Sequence, residues 1–298
     1  MAINAELKLK TYVQVSAAML AFAANSVLCR LALLETSMDA ASFTLIRLIS
    51  GAATLLFILF FMRKDDLKHN NIRRQFPLLA LTSTLLFSYA AAFSYAYINM
   101  DTGTGALVLF ASVQLAMIGY HLVSGNRLNF KELSGLVLAL AGFVYLLLPS
   151  SSSPDLMATV LMMISGTSWA LFTLLGKRAS SSDRGLKPIA SMTYSFFGAS
   201  LLSLFVLAWL WDSNSVTIIG LFFAVASGSI ASALGYAIWY SVLPSISVLQ
   251  ASVVQLSVPA LATLGGILFL GELLTLQLSL SSVAILGGIA IVFLGRKT

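Results

Sequence analysis

The chain has 298 residues and a mass of 31.8 kDa, with 59% hydrophobic residues, 9% charged residues and a mean hydropathy of +0.94. A soluble domain carries about 25% charged residues, so this chain cannot coat a water-exposed globule, and its net charge of +6 does not make it a nucleic-acid binder. One cysteine, Cys29, and two histidines, His69 and His121, exclude a disulfide scaffold and leave little for metal chemistry; what remains is a polytopic helical membrane protein.

A helix needs about 20 apolar residues to cross the hydrocarbon core, and the chain offers ten such runs. The first, 12–34, follows Lys8 and Lys10 and contains Asn25 and Arg30. A cleaved signal peptide ending near Ala21-Phe22-Ala23 is the competing reading of this start. It is disfavoured because the run stays apolar through Leu34 and has a partner later in the chain. The second run, 41–62, holds Arg47; the third, 76–98, holds Tyr89 and Tyr95; the fourth, 103–123, holds Gln114. The fifth, 132–149, ends at the Ser150–Pro154 turn, and the sixth, 156–176, carries Trp169. The seventh is 188–211. The eighth, 217–241, sets Ser229, Ser232, Tyr236, Trp239 and Tyr240 at helical spacing. The ninth, 247–270, places Ser252, Gln255 and Pro259 on one face and stops at Gly271-Glu272; the tenth is 277–295.

The charges support this count. Fifteen of the seventeen Lys and Arg residues fall on one face, which holds both termini and the even-to-odd linkers. The other face carries only acids: Glu35, Asp39, Asp101, Asp155, Asp212 and Glu272. Basic loops are retained in the cytoplasm, which places both termini there. The expected location is a bacterial inner membrane.

The halves align at a shift of about 145–147 residues. Phe22-Ala23 matches Trp169-Ala170, Tyr95 matches Tyr240, Ser112-Val113-Gln114 matches Ser257-Val258-Pro259, and Ala141-Gly142 matches Gly287-Gly288. Residues 1–149 and 150–298 are therefore read as two five-helix repeats. Because five is odd, the second copy enters the membrane from the opposite side, the inverted architecture of many secondary transporters. The predicted fold is all-α, with ten transmembrane helices around a central cavity.

The run from Val258-Pro259-Ala260 to Gly271-Glu272-Leu273-Leu274-Thr275 ends a helix with G-E-x-x-T. It resembles the repeat signature of the EamA-type branch of the drug/metabolite transporter superfamily. Arg47 and the aromatic–small pairs of the first and sixth runs resemble the same repeat. In the first copy Gly125-Asn126-Arg127 stands where G-E would be, and Gln114 replaces the proline. The resemblance covers essentially the whole chain and implies a ten-helix basket, with the fifth and tenth helices peripheral. It also implies export of small metabolites, most closely aromatic and other neutral amino acids.

Polar and aromatic side chains at bilayer depth are the candidates for contact with cargo: Asn25, Tyr89, Gln114, Trp169, Tyr236, Trp239 and Gln255. Amide and hydroxyl groups set among aromatic rings suit a zwitterion with a neutral side chain. Pro259 is the expected hinge. Arg30 and Arg47 are expected to pair with Glu35, Asp39 or Glu272, and such a pair could serve as a gate. No Asp or Glu lies in a helix interior, and no P-loop or H-E-x-x-H motif is present. The expectation is thus a monomeric, uncoupled transporter, not an enzyme, needing no cofactor, metal or ATP, whose partners are the lipid bilayer and a small-molecule cargo. The alternatives are proton-coupled export of drugs or other metabolites, a channel, or an intramembrane enzyme.

Overall fold

The computed structural model describes residues 2–67, 72–125, 127–148, 153–181, 186–210, 215–242 and 254–295. Among them the regular elements are all helices. Besides two short 3-10 turns, Lys64–Leu67 and Ala208–Leu210, they are in chain order α1 (Ala2–Glu35), α2 (Ala40–Met62), α3 (Ile72–Ala96), α4 (Thr102–Val123), α5 (Phe130–Leu147), α6 (Leu156–Ser181), α7 (Pro188–Leu207), α8 (Ile218–Val242), α9 (Ser257–Leu270) and α10 (Leu276–Gly295). The first eight contain stretches long and apolar enough to cross a membrane; Ser257–Leu270 and Leu276–Val292 are shorter apolar helices. The ninth predicted run begins outside the described residues, which hold 254–270 of it, and Ser252 also lies outside them.

Local chemistry sets the helix ends. Asp39 opens α2 by accepting from the Ser42 amide at 2.8 Å. Asn129 and Glu132 open α5 with a reciprocal capping box, and the Thr217 hydroxyl accepts from Gly220 N at the start of α8. The G-E-x-x-T run resolves into separate tasks. Gly271 takes the left-handed conformation (φ 66°) that ends α9, and Thr275 caps α10 by accepting from Leu278 N. Gly125 is left-handed too (φ 84°), just past α4. The starts Ile72 and Ile218, the ends Ala96 and Val242, and this glycine pair recur at one shift of about 146 residues.

The helices pack in a consistent pattern. α5 and α10 lie against each other, with Ala139, Leu146, Ile285 and Ile289 buried in the shared core. Gln277 Nε2 closes the end of this pair by donating to the Tyr145, Leu146 and Leu148 carbonyls at 2.9–3.1 Å. Inside, α3 packs on α6 and α7, α2 on α7 and α8, α1 on α8 and α9, and α4 on α6 and α9. The outer surface stays apolar: Phe205 and Leu268 are three-quarters exposed. A water-soluble protein rarely shows such a surface, whereas lipid accommodates it.

Close contacts at two levels hold α2 against α8. α8 widens into a π-helical stretch over Ser227–Leu234, a rare conformation often found at functional sites. Within it Gly228 faces the Arg47 carbonyl and the Ser50 hydroxyl so closely that any Cβ would collide with both. At the acidic face Asp39 accepts from the Ser215 hydroxyl at 2.6 Å. Partial burial opposes ionisation of Asp39, but hydrogen bonds from Ser215 and Ser42 outweigh it and hold the carboxyl below its ordinary range.

Gly228→Val is expected to force α2 and α8 apart and cost about 1–3 kcal/mol, the usual penalty of overpacking; thermal unfolding of purified protein in detergent measures it. Asp39→Ala should cost about 1 kcal/mol at neutral pH through the lost cap, with Asp39→Asn milder. Because the folded carboxyl titrates below its unfolded value, this contribution is complete above the unfolded value of about 3.9. It fades as pH falls through the folded one, so unfolding curves of wild type and Asp39→Ala should converge in acid.

Candidate functional site

The site is a cavity with about 670 Å³ of atom-free space, its opening included. Helix phase brings its walls together. α4 presents Leu109, Phe110, Val113 and Met117, while α1 presents Phe22, Asn25 and Ser26 at i, i+3 and i+4. The polar floor and aromatic wall come from Tyr89 and Phe93 on α3, Trp169 on α6, Tyr236 and Trp239 on α8, and Gln255.

The aromatic rings form one contiguous group. Trp169 lies 5.0 Å from Tyr89 and 4.8 Å from Tyr236, ring centroid to centroid. Phe22 lies 5.5 Å from Tyr236 and meets Trp239 edge-on at 6.1 Å. These separations are those of interacting aromatic pairs. Asn25 ties the wall together: its Oδ1 accepts from the Ser227 hydroxyl at 2.6 Å, and its Nδ2 donates to the Tyr89 hydroxyl at 3.4 Å. The hydroxyls of Tyr89 and Tyr236 are 3.3 Å apart.

Six of the seven residues expected to contact cargo therefore meet at one cavity: Asn25, Tyr89, Trp169, Tyr236, Trp239 and Gln255. Gln114 does not join them. It is buried to 1% exposure on a different face of α4, one helical step from Val113, and among the described residues its Oε1 has no hydrogen-bond partner. Ser229 also turns away, to the Ser50 carbonyl of α2, because the π-helical stretch shifts the phase of α8. Pro259 falls in the first turn of α9. The helix is interrupted at Leu256, because proline lacks the N–H that would bond Gln255 and its ring crowds that carbonyl.

The two membrane arginines part company. Arg30 pairs with Glu272 at 3.7 Å and with Asp101 at 3.5 Å, and Nη1 donates to the Tyr97 and Ile98 carbonyls at 2.6 and 2.9 Å. Glu272 also accepts from the Thr102 amide and hydroxyl at 2.8 Å, so it caps α4 from beyond the end of α9. The negative carboxylate sits where the helix dipole is positive. This cluster joins the two halves at the acidic face. The corresponding position in the first copy is Asn126, outside the described residues.

Arg47 corrects the expectation of a carboxylate partner. It is 2% exposed, and no acid lies within 4.0 Å of it among the described residues. Its guanidinium carbon lies 4.9 Å from the Phe93 ring centroid and 5.2 Å from that of Tyr89. Nη2 donates to the Tyr89 hydroxyl at 3.0 Å and Nε to the Ser232 hydroxyl at 3.4 Å. Its depth is explained by α3 packing between α2 and α6, which brings Tyr89 and Phe93 over it.

Sequence reasoning passed over Phe93, Ser26, Met117 and Thr173 as lining residues. Phe93 was within reach, since Tyr89, Phe93 and Tyr97 recur every four residues through the end of α3 and the turn that follows it. Met117 carries no polar or aromatic signal, and the Thr173 hydroxyl donates to the Trp169 carbonyl one turn back, as helix threonines commonly do. Among the described residues no group of His, Cys, Asp and Glu could hold a metal ion.

Glu272→Ala removes the α4 cap and leaves Arg30 with fewer anionic partners. The expected loss is about 2–3 kcal/mol, read as a lowered unfolding temperature. Glu272→Gln should recover part of it by accepting from Thr102.

Comparison with known proteins agrees with this architecture. The model of the EamA-like transporter family matches twice, at residues 9–148 and 156–294. An uncharacterised protein of Pseudomonas aeruginosa is 44% identical over 279 residues, covering 94% of this chain and 93% of its own. A probable amino-acid metabolite efflux pump of Escherichia coli K12 is 28% identical, covering 76% of this chain and 80% of the relative. A solved crystal structure superposes with a TM-score of 0.64 at 18% identity, covering 93% of this chain and 96% of that one, a likeness of fold. A chain matched in both halves by one family model, with apolar helices around an aromatic cavity, belongs to the EamA-like transporter family and is embedded in the membrane.

Proposed function

We propose that the protein is a ten-span secondary transporter that exports small metabolites, aromatic and other neutral amino acids foremost, across a bacterial inner membrane. The observation that carries this reading is the aromatic cavity between the helices of the two halves, with amide and hydroxyl groups at one wall. Rings of Trp169, Tyr236 and Phe22 offer faces and edges to an aromatic or aliphatic side chain. The E. coli relative, an amino-acid metabolite efflux pump by its description, supports the cargo class.

Alternating access is the mechanism. The halves repeat in sequence, so each end of the cavity can close by the packing the other half supplies. The Arg30–Glu272–Asp101 cluster acts as the gate at the acidic face, and the break at Leu256 ahead of Pro259 supplies the hinge. The basic face is cytoplasmic by the distribution of Lys and Arg. No acidic side chain lines the cavity among the described residues, which supports movement down the substrate gradient without a proton relay.

Flux of labelled amino acids in proteoliposomes tests this. Phenylalanine is expected to exchange saturably, at rates far below those of a channel, and Trp169→Ala should weaken its apparent affinity about tenfold or more, with Gln255→Ala weaker in effect. Unchanged flux in both variants removes the cavity assignment. Accumulation driven by an imposed pH gradient overturns the uncoupled mechanism.

A further inference from the structure

We propose that the cavity selects its cargo by a carboxylate group, with Arg47 as the counter-charge and no requirement for an ammonium group. The inference rests on the transport reading above and names the chemistry of the same site: hydrophobic monocarboxylates, of which amino acids are one kind and their desamino analogues another.

The starting observation is an uncompensated charge. Arg47 is 2% exposed, lacks a carboxylate within ion-pair distance, and its Nη1 has no hydrogen-bond partner among the described residues. Burying a cation at membrane depth is costly, and an apolar side chain of similar volume would usually fill such a site more cheaply. Of the residues that Arg47 touches, two line the cavity and Ser232 does not. Phe93 and Tyr89, whose rings it meets, both line the cavity, and its Nη2 donates to the hydroxyl of one of them, Tyr89.

The second observation is the set of donors on the cavity side. With its oxygen lone pair engaged by Nη2, the Tyr89 hydroxyl has a proton to give; Tyr236 presents another hydroxyl 3.3 Å away. Asn25 is oriented by Ser227 so that its Nδ2 lies on the same side, 3.4 Å from Tyr89. The two hydroxyls share one hydrogen bond, so one phenol proton and the second N–H of the Asn25 amide, backed by a guanidinium, are left to meet the acceptor lone pairs of a carboxylate.

An ammonium group fares worse at the same place. The lining offers no acid among the described residues. The rings of Tyr89 and Phe93, which would otherwise attract a cation, are already engaged by Arg47. A second positive charge there would meet repulsion in a medium of low dielectric.

The experiment is competition and direct flux in proteoliposomes of the full chain, using phenylalanine, 3-phenylpropanoate, phenethylamine and phenylalaninamide. The expected result is that 3-phenylpropanoate competes at least as well as phenylalanine and is itself transported, whereas both analogues lacking the carboxylate compete at least tenfold more weakly. Arg47→Gln should weaken the two carboxylates about tenfold or more and leave phenylalaninamide unchanged, while Arg47→Lys keeps the order of preference. Equal competition by phenethylamine and 3-phenylpropanoate overturns the inference and leaves amino-acid transport standing. Transport of 3-phenylpropanoate without phenylalanine supports the inference and removes the amino-acid reading. If no compound moves, both fall. The wild-type series decides the matter even if the Arg47 variants do not fold.

Discussion

Hydrocarbon cannot hydrogen-bond, so each polar group carried into the bilayer must find its partner within the protein. The rest of this structure follows from that constraint. Serine and threonine hydroxyls along the helices return to carbonyls one turn back, as Ser94 does to Ala90 and Thr193 to Ile189. Gln277 gathers the last carbonyls of α5, and Glu272 takes the first donors of α4. Where polar groups are not used up in this way, at Asn25, Tyr89, Tyr236 and Arg47, they gather around the cavity.

The two arginines show how context divides one residue type into two roles. Arg30 stands near the end of α1, close enough to the connection between α3 and α4 to reach backbone carbonyls and two acids. Its charge is compensated by neighbours that belong to both halves, so it acts as a joint. Arg47 stands between helices, under two aromatic rings, and its charge is spread only over faces and hydroxyls. Charge that is balanced binds the scaffold together, and charge that is not lies among rings and hydroxyls beside the cavity.

Much of this was legible in the sequence, for physical reasons that can be named. Long apolar runs and turn residues reveal helices because lipid tolerates little else, and the eight long spans follow the predicted runs closely. Asn25, Tyr89, Trp169 and Tyr236 stood out because such side chains are conspicuous in an apolar helix. What escaped was rotation and depth. Gln114 has the same chemistry as Gln255, yet one helical step separates it from the lining face. Ser229 fits an α-helical stripe with Tyr236 only if the helix keeps an α-helical period, and over Ser227–Leu234 it does not. The surroundings of Arg47 depend on how α3 crosses α2, a long-range packing choice that no local spacing encodes.

The π-helical stretch of α8 has a consequence for how this chain can change by insertion and deletion. An α-helix advances about 100° per residue, so removing one residue from Ser227–Leu234 and letting the ladder relax to α geometry would not merely shorten α8. It would swing Tyr236 and Trp239 about a quarter turn around the helix axis, out of register with Phe22 and Trp169. A one-residue gap elsewhere in an exposed loop would pass almost unnoticed. Here the surplus residue acts as a dial that points the aromatic wall at the cavity, and the length of this segment sets the shape of that wall as much as any side chain in it.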